Sequence, residues 1–143
     1  MVKHSVVTAL ALVLGTAVAS WGAPVLLIDG NATLLIEPED DRGVFDFRID
    51  GIQQLKRHWF WYRVGNSGPE LPINQLRFLD AQQGVPNAAS LRFFDPAGRF
   101  RLTVSYALIG GPSGGGSLGT TANLEMNVTV DNLSGVPLDF HFF

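Results

Sequence analysis

The sequence predicts an all-β domain, an antiparallel β-sandwich incomplete at its C-terminus and preceded by a signal-peptide helix. Short runs rich in Val, Ile, Leu, Phe, Trp, Tyr and Thr recur about every ten residues between clusters of Gly, Pro, Asn and Asp, the punctuation of a sheet protein. One of these runs alternates apolar and polar residues strictly, and no stretch carries the period of an amphipathic helix.

The first element stands outside the sheet. Lys3 and His4 precede a charge-free run from Val6 to Val18, rich in Val, Ala and Leu, that closes on Ala17-Val18-Ala19. A basic start, an apolar run shorter than the roughly 20 residues of a spanning helix and a small-x-small site together read as a cleavable secretory signal, residues 1–19. Residues 20–143 then form a single domain with no membrane span after cleavage.

Within that domain, Val25 to Ile28 and Thr33 to Glu37 flank Asp29-Gly30-Asn31, whose Gly and Asn tolerate the positive φ of a tight hairpin. Val44 to Asp50 alternates, with Phe45, Phe47 and Ile49 directed to a core and Asp46, Arg48 and Asp50 to solvent. Leu91 to Phe94 and Phe100 to Ala107 pair through Asp95-Pro96-Ala97-Gly98, which places type I turn residues at its first, second and fourth positions. In that hairpin Phe100, Leu102 and Val104 form the buried face, and Arg99, Arg101 and Thr103 the other. The glycine density of residues 110–119 predicts a loop. Ala122 to Val130 and Leu138 to Phe143 bracket a last turn cluster, Asp131 to Gly135. The sequence stops at Phe143 inside an apolar strand, which reads as a fragment or a shortened reading frame.

Composition restricts the chemistry. Loss of residues 1–19 removes only Lys3, leaving nine basic against thirteen acidic residues and a net charge of −4. Such mild acidity is the wrong balance for neutralising phosphates, so no nucleic-acid partner is expected. The absence of cysteine removes thiol catalysis and Cys-ligated zinc, and it favours a bacterial exported domain held by packing alone. The acidic stretch Glu37, Glu39, Asp40, Asp41, Asp46 and Asp50 lacks the spacing of an EF-hand loop. His58 and His141 are far apart without a triad pattern, nothing in the spacing of Glu37, Glu70 and Glu125 brings them together, and Gly110 to Gly116 lacks the Gly-Lys-Ser/Thr ending of a phosphate loop. No catalytic residue, metal or cofactor is therefore expected.

The richest candidate for binding is Trp59-Phe60-Trp61-Tyr62-Arg63. Strand alternation sends Trp59, Trp61 and Arg63 to one face and Phe60 and Tyr62 to the other. One aromatic set is expected to fill the core and the other to pack under a neighbouring loop. The functional alternative is a flat indole platform with Arg63 beside it, suited to stacking on a sugar ring or a partner's surface, with Trp59, Trp61, Tyr62 and Arg63 as the ligand-binding candidates.

The segments WFWYRVGNSGPE (Trp59 to Glu70) and VTVDNLSGVPLDFHFF (Val128 to Phe143) resemble uncharacterised exported bacterial proteins of the PEP-CTERM sorting-signal type. The resemblance brings no catalytic residues. It implies secretion or cell-surface localisation and association with extracellular polysaccharide or another surface protein. This chain lacks the Pro-Glu-Pro and hydrophobic-helix tail of that type, so either a sorting signal was lost with a truncated end or this member is released. The expected function is a non-catalytic structural or adhesive protein of the surface or extracellular matrix, with self-association through edge strands; the alternative is a carbohydrate-binding module using the Trp59/Trp61 strand.

Overall fold

A computed structural model of the chain describes residues 23–112 and 121–143. The expected signal peptide and most of the glycine-rich loop lie outside the described residues. Among the described residues no helix is long and apolar enough to cross a membrane. The architecture is all-β: three antiparallel sheets around one hydrophobic core, as the sequence predicts.

The first sheet holds four strands in chain order, β1 (Val25–Asp29), β2 (Ala32–Glu37), β3 (Gly43–Ile49) and β4 (Ile52–Leu55). Asp29 pairs with Ala32 across the predicted turn. The β3–β4 turn is Asp50-Gly51, whose φ values of +49° and +76° are those a two-residue type I′ hairpin demands.

Strand β3 departs from simple alternation. Leu35 faces Asp46 and Ile36 faces Val44, leaving Phe45 as an extra residue in a bulge. A bulge reverses the parity of the side chains beyond it. Val44 is fully buried and Phe47 packs on the core, while Phe45 leaves that face and lies under the Arg42 guanidinium, 5.1 Å from its centroid. The expected grouping of Phe45 with Phe47 and Ile49 is thus corrected, because the register shift was invisible to a period-of-two reading.

The second sheet has the order β10-β9-β8-β7, with β7 spanning Arg77–Val85, β8 Ala88–Phe94, β9 Phe100–Gly110 and β10 Ala122–Asn132. The β8–β9 hairpin closes as its sequence predicts: Gly98 N–H donates to Asp95 O at 2.8 Å, and Asp95 N–H to Phe100 O at 3.1 Å. Phe100, Leu102, Val104 and Leu108 are fully buried. They meet Leu27, Leu34 and Ile36 of the first sheet in one cluster, which makes the two sheets the layers of a sandwich.

The third sheet is small: β11 (Phe140–Phe142), β5 (Trp61–Val64) and β6 (Leu71–Pro72), with a 3₁₀ turn at Ile73–Gln75 after it. It joins the core through aromatic rings. Phe140 and Tyr62 stack at 6.0 Å and each meets Phe100 edge-on, at 5.0 and 5.6 Å. The last two apolar runs therefore do not pair with each other; β10 joins the second sheet and β11 the third.

The sandwich is bolted at one end by the first turn. Asp29 Oδ2 accepts from Gly110 N–H at 2.9 Å, Asn31 Oδ1 from Gly111 N–H at 2.8 Å, and Gly111 O from Asn31 N–H at 3.1 Å. Contact this close requires glycine on both sides: a Cβ at Gly30 would lie 2.1 Å from Gly111 O, and one at Gly110 only 1.8 Å from Asp29 O.

Candidate functional site

The aromatic segment divides differently from its sequence alternation. Trp59 and Phe60 precede β5 in irregular chain, so the two-residue period does not reach them, and both are buried. Gly43, with φ +57°, makes room for Trp59: a Cβ there would lie 2.3 Å from the indole ring. The Trp59 indole N–H donates to Asn74 Oδ1 at 3.0 Å and its ring meets Phe93 edge-on at 6.4 Å. With 4% exposure, Trp59 has no face to offer a ligand. Tyr62 is equally inaccessible at 5%, and burial together with the nearby Asp95 carboxylate raises its phenol pKa.

Trp61 and Arg63 are half-buried on the other face of β5. Arg63 is engaged within the fold: its Nε donates to Gly65 O at 3.2 Å, its Nη1 lies 3.8 Å from Glu70 Oε1, and its guanidinium stands 5.4 Å over the Phe143 ring. Of the four candidates, two belong to the core and two to a small mixed surface, and the paired-indole platform does not form.

Four members of the acidic stretch are matched by guanidinium groups. Arg42 bonds Asp40 and Glu37 at 2.6 and 3.3 Å, Arg57 meets Asp41 at 2.9 Å, and Arg48 grips Asp46 at 2.8 Å. Among the described residues no group of carboxylates and histidines is placed to hold a metal. Glu37, Glu70 and Glu125 sit beside three different sheets. His58 bridges Val44 through two 2.9 Å backbone bonds; its Nδ1 is buried without a partner, and desolvation lowers its pKa.

A surface feature that the sequence reading missed lies on the outer face of the second sheet. Register aligns Gln82, Ser90, Ser105 and Asn127 in one row across four strands, and Val85, Ala88, Ala107 and Glu125 in the next. The central strands thus place small residues, Ala88, Ser90, Ser105 and Ala107, between larger ones on the flanks. The result is an open trough of about 480 Å³. Across its floor the Ser90 and Ser105 hydroxyls bond at 2.9 Å. The adjoining row carries Asp80 and Arg92 in a bidentate pair, with Nε to Oδ1 at 2.7 Å. Hydroxyls and amides of this kind can exchange hydrogen bonds with polar ligands, and among the described residues each serine hydroxyl is bonded to the other.

Beside the trough runs the edge of β10. All eleven of its residues pair with β9, and no described residue donates a backbone bond to, or accepts one from, its opposite side. The sequence located this strand; its position at an edge depends on β11 pairing elsewhere. No family model, curated protein or solved structure matches the chain.

Proposed function

We propose that the chain is an exported, non-catalytic structural or adhesive protein of the bacterial surface or extracellular matrix. The observation that carries this reading is the second sheet's combination of an eleven-residue edge, left open by the described residues, with a broad polar face. An open edge offers backbone pairing to another chain, and a row of hydroxyls and amides offers contact with a hydrated polymer; both are means of attachment rather than of turnover. The secretory signal and the PEP-CTERM resemblance support the same address.

The full chain, expressed with its N-terminal segment in a bacterial host, should be recovered in the extracellular or surface fraction and should co-sediment with insoluble exopolysaccharide. Retention in the cytoplasm, or turnover of glycoside, ester or peptide substrates by the purified chain, would overturn the reading. A second reading, carbohydrate recognition by the small sheet, keeps only Trp61 and Arg63 of the four candidates, because these alone reach the surface. On a glycan array Trp61→Ala should then abolish a signal that the parent chain gives; equal signals would remove it.

A further inference from the structure

We infer that β10 pairs antiparallel with β10 of a second copy of this chain, about a two-fold axis through Asn127, an inference that rests on the structural reading above and names its partner.

The exposed edges among the described residues are not equivalent. β4 has four residues, β11 three and β6 two, one of them Pro72. The outer side of β1 is already used, since Ile28 N–H donates to Pro86 O at 3.0 Å and the Gln83 side-chain amide to Leu26 O at 2.8 Å. β7 is interrupted twice by register shifts, one beside Leu79 and one spanning Gln83 and Gly84. Short length, bulges, proline and cover are the devices that keep sheet edges from pairing. Among the described residues β10 shows none of them: its eleven residues, ANLEMNVTVDN, contain no Pro, Gly, Lys or Arg and pair with β9 without a register shift.

The strand is also complementary to itself. Opposed residues in an antiparallel pair share a face, so a two-fold axis normal to the sheet must fall on a residue. Centred on Asn127, the pairing uses the whole strand. On the core side Met126 meets Val128 of the partner copy and Leu124 meets Val130; on the outer side Asn127 meets itself, Glu125 meets Thr129 and Asn123 meets Asp131. Apolar residues face apolar ones except at the strand ends, where Ala122 meets Asn132, and no like charges stand opposite. Shifting the axis to Val128 shortens the overlap and sets Glu125 against Asp131, a destabilising cross-strand pair. Shifting it to Met126 sets Leu124 against Val128 and Ala122 against Val130 but shortens the overlap, leaving Asp131 and Asn132 unpaired. The Asn127 register covers Met126, 41% exposed in the single chain, and extends the row Gln82, Ser90, Ser105 and Asn127 into its symmetry mate. Two troughs then share one sheet of eight strands.

Cross-linking tests the axis directly. Opposed Cα atoms in an antiparallel pair lie about 4.5 to 5.5 Å apart, within the range a disulfide spans. The chain has no cysteine of its own. Asn127→Cys in the full chain should form a covalent dimer on mild oxidation, while Thr129→Cys, on the same face but about 14 Å from its mate, should not. Circular dichroism establishes that both variants fold, and sedimentation of the parent chain should show a concentration-dependent dimer. A parent chain that stays monomeric at millimolar concentration, an Asn127→Cys chain that does not cross-link, or equal cross-linking of the two variants overturns the pairing. None of these outcomes bears on catalysis, which the turnover assay settles separately.

Discussion

Asp95 shows how one side chain organises a hairpin. Its carboxylate is buried and accepts from the Arg99 backbone N–H at 3.1 Å and from Arg99 Nε and Nη2 at 2.6 and 3.1 Å. The bonds from Arg99 hold its pKa below the usual carboxylate value, outweighing desolvation. A lowered carboxylate pKa adds stability above the unfolded value of about 3.9, and that stability is lost as pH falls through the folded value. Asp95→Asn should therefore cost about 1 to 3 kcal/mol at pH 7, with Arg99 partly in water, and the difference from the parent chain in urea midpoint should shrink below pH 4. His58 acts over a higher range. Its folded pKa is depressed, so the unfolded chain takes up the proton first and stability declines as pH drops below about 6.5. His58→Gln should flatten the urea-midpoint profile between pH 7.5 and pH 5.5; an unchanged slope would assign it to other groups. Trp59 belongs at this scale too: Trp59→Ala should destabilise the fold by about 3 to 5 kcal/mol, the loss expected of a core aromatic. A variant that kept its stability but lost a ligand would reverse the core assignment.

The hairpins were the most legible elements. Asp29-Gly30-Asn31 and Asp95-Pro96-Ala97-Gly98 announce their turns through local backbone preferences, and β9 alternates without a fault over Phe100 to Leu108, so its buried face could be read directly. Where non-local pairing sets the outcome, the residues are silent. The Phe45 bulge is fixed by β2, the Trp59-Phe60 segment is drawn into the core by Gly43, Phe93 and Asn74, and β11 pairs with β5 rather than with the strand before it. β7, with its polar Gln82-Gln83-Gly84 stretch, gave little apolar signal. The trough was hidden for the same reason: Ala88, Ser90, Ser105 and Ala107 become a floor only once β8 and β9 are in register. Glycines separate the two kinds of constraint. Gly98→Ala meets open space and suffers only its φ of +75°, about 1 kcal/mol, whereas Gly110→Ala drives a methyl into the Asp29 carbonyl and should cost about 3 kcal/mol or more. Equal melting temperatures for the two variants would contradict the bolted-turn description.

At the scale of the molecule, three sheets share one core without a disulfide, so cohesion rests on packing and on a few long-range bonds. The bolt between the first turn and the end of β9 joins residues about 80 positions apart, as Gly110 to Asp29 and Gly111 to Asn31. Its consequence is one of time. The β1–β2 hairpin can form as soon as it is synthesised, but it has nothing to lock onto until Gly110 and Gly111 arrive, and β5 waits in the same way for Phe140 to Phe142. High contact order of this sort places folding in the millisecond-to-second range, with closure as a late event. Gly110→Ala should accordingly leave the refolding rate nearly unchanged and act on unfolding, as interactions absent from the transition state do. A chain that closes last across residues about 80 positions apart stays open to proteases until both closures have formed.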